Sequence, residues 1–221
     1  NTPCKSSDTY KRLSFLVRKI IQVSNDNFTQ QQNVKVIDAM RFSSQKHVGI
    51  YRKDGITPYF LHALEVVYIL FCFGVYYFKL FIAGILHDVY EDTDVTLKEI
   101  SLKFGSAIRN IVDLMSKSEN SKLGNKYWVR MRSEVDLNCR WRVILLKFAD
   151  RIHNLMTLHA VSEESRQRKI QETKREFPIL CESLKKTIRR LYKKRTIKKK
   201  FYLHLPGRVM DRINYELSNY Q

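Results

Sequence analysis

The segment HDVYEDT, residues 87–93, sets four ionisable side chains, His87, Asp88, Glu91 and Asp92, within six positions, directly after the apolar run FIAGIL at 81–86. Charges beside a buried run are costly to desolvate, and a bound divalent cation is the usual compensation. Two further segments offer ligands in apolar surroundings: His62, shortly after Pro58, and Asp150, inside LLKFADRIHNL at 145–155. Pointed inward together, His62, His87, Asp88 and Asp150 make a site of two imidazoles and two carboxylates. Such donors, with positions open to water, suit Mn²⁺, Fe²⁺ or Zn²⁺, and the oxygen share favours Mn²⁺. A metal of this kind lowers the pKa of a bound water and polarises a phosphoryl oxygen.

Helical spacing extends the set. Glu91 follows His87 by four residues and Asp92 follows Asp88 by four. If the helix continues, both lie one turn on along the metal-facing side, placed to orient water or move protons. The alternative is that they form an acidic cap for the next helix. Asn154 and Thr157 lie four and seven residues after Asp150, on one stripe, and Lys147, three before it, can meet a phosphate on the same face. His153 and His159 read as core histidines with satisfied hydrogen bonds, and Arg52-Lys53 as a surface turn.

The elements that must position these groups are helical. Few turn-formers (seven Gly, four Pro) and no sustained β-alternation argue for an all-α fold. Residues 1–9 are polar and expected to fray. Apolar spacing predicts helices over Tyr10–Val23, Asn33–His47 and Tyr59–Phe73, the last ending near Gly74 after the turn-rich loop 51–58. A helix apolar nearly all round follows from Phe78 to Tyr90 and should be central. An N-cap within 93–96 precedes Leu97–Lys103, and Ala107–Met115 continues helically. A polar loop at 116–126 leads to Trp128–Val135 and Trp141–Val161. Ser162–Leu191 reads as one or two helices, with Pro178 as a break or kink.

At 221 residues the chain is one domain, or a domain with an appendage. The net charge of +18 is unevenly placed: residues 185–200 hold ten of the 40 basic residues and no acid. An anionic partner follows as an expectation: a phosphorylated small molecule, RNA through 185–200, or a membrane surface. The last is the weakest, because Ile188, Leu191 and Tyr192 give only a narrow apolar stripe. The four cysteines (4, 72, 139, 181) show no CxxC and read as free thiols in a reducing, cytoplasmic compartment, with Cys72 a buried small hydrophobe. The longest uncharged apolar run, 66–78, is too short for a transmembrane helix, which needs about 20 residues. No secretory signal is visible at the N-terminus.

The blocks TPYFLH (57–62), HDVYEDT (87–93), FGSAIRNIVD (104–113) and VILLKFADRIHNLMTL (143–158), in this order, resemble the hydrolase domain of the RelA/SpoT family. These are HD-type, metal-dependent phosphohydrolases of ppGpp and pppGpp, and the resemblance covers about residues 35–160. It implies an HD-domain helical bundle over 10–184, followed by a basic helix and tail at 185–221. It implies one Mn²⁺ on His62, His87, Asp88 and Asp150, with Glu91 and Asp92 handling the attacking water. It further implies that Arg52 and Lys53 meet the base and phosphates of a guanine nucleotide alarmone, and that Asn154 and Thr157 contact its sugar region.

The chain departs from the family pattern in having Ala63 after His62, Ser116-Lys117-Ser118 for a Thr-Lys-Leu segment, and Met156 before Thr157. About sixty residues follow Val161, too few for a second catalytic domain, which implies a free-standing hydrolase or a fragment of a longer gene. Two other readings remain. The same fold can act on NADPH or on a pyrophosphorylated tRNA 3′ end. It can also be a retired hydrolase that binds nucleotide or RNA.

Overall fold

Apolar residues recurring every three to four positions give each helix one face to bury, and in the computed structural model all regular structure among the described residues is helical. The structure describes residues 3–116, 125–134 and 136–220. Most of the expected 116–126 loop, and Val135, lie outside them. The only pairing of extended backbone among the described residues is an isolated antiparallel bridge between Tyr51 and Pro58. The chain divides into two compact units, Asn1–Ser116 and Lys117–Gln221.

In the first unit α1 spans Pro3–Asn27, so the residues expected to fray are helical from Pro3 on. It docks through Leu16, Ile20 and Val23, all buried, and through Arg12, whose Nε and a terminal nitrogen donate to the two Glu65 carboxylate oxygens at 2.6 and 2.8 Å. Helix α2, Gln30–Lys46, begins three residues before the expected start because Thr29 and Gln32 form a reciprocal capping box. Helix α3 runs Tyr59–Cys72 and ends at Gly74, whose φ of 74° is the left-handed conformation that closes a helix. Cys72 is exposed rather than buried, because the end of α3 reaches the surface.

Helix α4 stops at Leu86, four residues short of the expected Tyr90; Phe78–Leu86 packs on α2, α3 and α7 and is buried from Leu80 onward. The four-residue α5, Val89–Asp92, follows a break at His87-Asp88. Thr96 caps α6, Leu97–Phe104, and Gly105 at φ 95° turns the chain into α7, Ser106–Met115.

In the second unit α8 is Asn125–Ser133 and α9 is Leu137–Met156, capped by the Asp136 carboxylate, which accepts from the Asn138 N–H at 2.9 Å. That cap starts α9 four residues before the expected Trp141. At its other end Thr157 leaves the helical region, and Leu158–Ala160 is a 3₁₀ turn, so the expected helix to Val161 is cut short. His159 sits on that turn and is exposed, not a core histidine, whereas His153 is buried as expected.

Helix α10 is continuous from Glu163 to Lys193 across Pro178. Pro178 faces solvent, so the carbonyl deprived of its N–H partner is open to water. Phe177 beside it is wholly buried, edge-on to Phe148 at 5.0 Å and to Trp128 at 5.9 Å, with the Arg151 guanidinium 5.2 Å over its ring. The basic residues from 185 to 193 are the last turns of α10. Thr187, Ile188 and Leu191 face inward there, while Lys186, Arg189, Arg190 and Lys193 face solvent. Arg195, at φ 56°, turns the chain toward α11, Leu205–Ser218. No helix among the described residues is long and apolar enough to cross a membrane.

Truncating Phe177 removes the ring on which Phe148, Trp128 and Arg151 meet. Phe177→Ala is expected to lower the unfolding free energy by about 3–5 kcal/mol, read as a reduced urea midpoint.

Candidate metal centre

In the first unit, three groups converge on one carboxylate oxygen. His62 Nε2 lies 3.4 Å from Asp88 Oδ2, His87 Nε2 lies 3.1 Å from it, and the Tyr59 hydroxyl donates to it at 3.0 Å. His62 and His87 are each 1% exposed. One ligand atom from each of His62, His87 and Asp88 lies within 4.8 Å of the others, close enough to share a divalent ion.

The local backbone explains the aim of these groups. His62 is in the first turn of α3, three residues after Tyr59, so both side chains project from one face. His87 follows the end of α4, and its Nδ1 donates to the Gly84 carbonyl at 2.8 Å. That bond commits the Nδ1 proton and aims Nε2 at Asp88, so Nε2 is the nitrogen that a metal would take up on displacing its proton. Burial pushes the Asp88 carboxyl up, and the facing His87 and His62 imidazoles more than reverse this, holding it well below the usual carboxylate range. Two imidazole nitrogens and a carboxylate are donors that fit a divalent cation.

The break between α4 and α5 changes the geometry expected for the neighbouring acids. Asp88 sits at φ −98°, ψ −7°, and its carbonyl accepts from the Glu91 and Asp92 N–H groups at 3.1 and 2.9 Å, so a tight turn carries both acids. Both are exposed. Partial desolvation together with the Asp88 charge raises the Asp92 pKa.

Arg52 and Lys53 lie on a turn built by Asp54, whose carboxylate accepts from the Ile56 and Thr57 N–H groups at 2.9 and 2.8 Å and from the Thr57 hydroxyl at 2.6 Å. Lys53 is exposed, and the Arg52 guanidinium lies 5.4 Å over the Tyr59 ring. Tyr59 and His47 were not singled out from the sequence. Each looks like an ordinary residue at a helix end, and the i, i+3 spacing of Tyr59 and His62 was the available signal.

In the second unit, Asp150 is buried on α9 between two partners. Lys147 Nζ donates to its Oδ2 at 2.9 Å and Asn154 Nδ2 to its Oδ1 at 2.5 Å. Burial lowers the Lys147 pKa, but Asp150 outweighs it and holds the ammonium charged. Thr157, at the end of the stripe, donates its hydroxyl to the His153 carbonyl at 3.1 Å. The i, i+3 and i, i+4 spacing of the sequence thus becomes a Lys147–Asp150–Asn154 cluster.

Residues 39–180 match the family model described as HD domain. The chain is 34% identical over 141 residues to the guanosine-3′,5′-bis(diphosphate) 3′-pyrophosphohydrolase MESH1 of Xenopus tropicalis, covering 62% of this chain and 77% of that protein. It is 30% identical over 174 residues to a guanosine-3′,5′-bis(diphosphate) 3′-pyrophosphohydrolase of Borreliella burgdorferi, covering 74% of this chain and 24% of that protein. A probable GTP pyrophosphokinase of Mycobacterium leprae is 33% identical over 149 residues, or 66% of this chain and 19% of its own length. The chain therefore spans about a fifth to a quarter of these two bacterial relatives. Its fold is that of a solved structure described as a metazoan orthologue of SpoT, with a TM-score of 0.55 at 20% identity over 80% of this chain and 94% of the other.

The Lys147–Asp150 pair has side chains only 9% and 10% exposed. Asp150→Ala is expected to cost about 3–5 kcal/mol of stability by leaving a buried ammonium unpaired. Adding Lys147→Met to Asp150→Ala is expected to recover most of that loss. An unchanged urea midpoint in Asp150→Ala would contradict the pairing.

Proposed function

The chain belongs to the HD-domain family, in the branch it shares with RelA/SpoT-type proteins, and we propose on that premise that it hydrolyses the 3′-pyrophosphate of ppGpp and pppGpp to GDP or GTP and pyrophosphate. The observation that carries this reading is the convergence of His62 and His87 on the Asp88 carboxylate within the HDVYEDT block. Those three residues are the proposed ligands of an Mn²⁺ ion, and the family pattern adds Asp150. When bound, the ion supplies Lewis-acid polarisation of the phosphoryl oxygens and a more acidic water.

The remaining residues have protein roles in this reaction. Water attacks the phosphorus joined to the 3′ oxygen, the P–O3′ bond breaks, and the 3′ oxygen leaves with a proton. Glu91 and Asp92, on their tight turn, orient the water, accept its proton and return one to the leaving oxygen. The raised pKa of Asp92 suits a group that both takes and gives a proton. Arg52 and Lys53 bind the base and phosphates, and Asn154 and Thr157 the sugar region. Lys147 adds a fixed positive charge on the Asp150 face of α9, the sign a pyrophosphate requires. Free thiols at Cys72, Cys139 and Cys181 accord with a reducing, cytoplasmic setting.

A second, RNA-facing activity is supported by the basic end of α10, whose apolar residues are buried while its cations face solvent. That arrangement suits a polyanion held by charge, and leaves Ile188 and Leu191 unavailable to a lipid surface.

Metal-stripped protein is expected to convert ppGpp to GDP and pyrophosphate only when Mn²⁺ is restored, as resolved by nucleotide chromatography. Asp88→Ala is expected to abolish turnover, and Glu91→Gln to lower kcat by about 10²–10⁴-fold with Mn²⁺ still bound. A folded, fully active Asp88→Ala protein would falsify the site assignment. For the basic face, single-stranded RNA binding should weaken steeply with salt. Replacing Lys193, Lys194 and Arg195 with Ala should reduce the slope of log K against log salt by about 2; binding that ignores salt would remove the RNA reading.

A further inference from the structure

Tyr59 has no part in the mechanism above, yet it meets Asp88, His62, His47 and Arg52. Its hydroxyl donates to Asp88 Oδ2 at 3.0 Å. Its ring stands edge-on to His62, with centroids 5.8 Å apart. The His47 imidazole stacks on it at 5.3 Å and 15°, and the Arg52 guanidinium lies 5.4 Å from its centre. Its backbone N–H donates to the Ile50 carbonyl at 3.0 Å, next to the Tyr51–Pro58 bridge that closes the Arg52-Lys53 turn.

The stack has a firm base. His47 is 3% exposed, and its Nδ1 donates to the Ser43 carbonyl at 2.9 Å, which fixes the ring plane. Burial pushes the His47 pKa down, so it packs as a neutral ring and adds no charge beside the cationic Arg52. A tyrosine hydroxyl carries a single proton, and giving it to Asp88 Oδ2 orients that carboxylate as a hydrocarbon ring cannot.

We propose that Tyr59 is a positioning residue: its hydroxyl orients the Asp88 ligand, and its ring, braced by His47, is the platform for Arg52. The proposal rests on the reading of Arg52 as a substrate contact and Asp88 as a metal ligand. It assigns the two halves of Tyr59 to separate kinetic quantities. The hydroxyl acts on turnover and metal affinity, and the ring acts on substrate binding.

The test compares wild type, Tyr59→Phe and Tyr59→Leu in kcat and KM for ppGpp, in Mn²⁺ affinity by competition with a fluorescent chelator, and in Tm. Tyr59→Phe keeps the stack. It is expected to lower kcat by about 10- to 100-fold and to weaken Mn²⁺ binding about 10-fold, as for other groups that orient a metal ligand, with KM unchanged. Tyr59→Leu is expected to show the same losses and to raise KM about fivefold as well, because the aromatic face beneath Arg52 is gone.

Wild-type kcat and Mn²⁺ affinity in Tyr59→Phe overturn the proposal. Equal losses in kcat and KM for both variants, in step with Tm, also overturn it by reducing Tyr59 to a packing residue. If wild type binds Mn²⁺ but leaves ppGpp intact, the functional reading fails by itself. The Mn²⁺ affinity of Tyr59→Phe then decides the proposal, a 10-fold loss upholding it and no change ending it. A wild-type protein that binds no Mn²⁺ overturns both.

Discussion

One carboxylate oxygen, Asp88 Oδ2, organises the first unit's site. Two imidazole nitrogens and a phenol hydroxyl point at it from 3.0 to 3.4 Å. Such a group is tolerable beside a helix as apolar as α4 only because its charge is met from several directions at once. The surrounding helices serve this arrangement. α3 delivers Tyr59 and His62 from one face, and α4 delivers His87 with its proton already committed to Gly84. The break after Leu86 frees Asp88 from a regular helix, so its carboxylate can meet both histidines.

The second unit solves a similar electrostatic problem differently. Asp150 lies on a helix buried along most of its length, and its charge is met within the same helix by Lys147 and Asn154. Spacing of three and four residues is enough, since such neighbours share a helical face. The carboxylate is thereby oriented by neighbours in its own helix. Asp88, in contrast, depends on two helices and the turn between them.

This difference explains what was legible in the sequence. The candidate ligands at His62, His87, Asp88 and Asp150 stood out because each interrupts an apolar run, and the Asp150 stripe followed from helical periodicity. The all-α fold was legible for the same reason. The break at His87 was not, because its cause is a side chain bonding the Gly84 carbonyl, and no apolar period records that. Tyr59 and His47 were hidden because an aromatic ring at a helix end looks like core, whereas their role lies in what a hydroxyl and a ring plane meet across 12 and 29 residues of sequence. Cys72 and His159 were misjudged because apolar neighbours in sequence do not reveal where a helix end or a 3₁₀ turn reaches the surface.

The end of α10 makes ionic strength act on this chain in two opposite senses. Lys185 and Arg189, Lys186 and Arg190, and Arg189 and Lys193 are like charges four residues apart on one helix, so in dilute buffer they repel and loosen its last turns. Added salt screens that repulsion and steadies the helix. The same ions shorten the reach of the +18 charge that would draw the proposed polyphosphate substrate toward the protein. Conditions that best preserve the C-terminal architecture are therefore those under which the proposed anionic substrate would be captured most slowly.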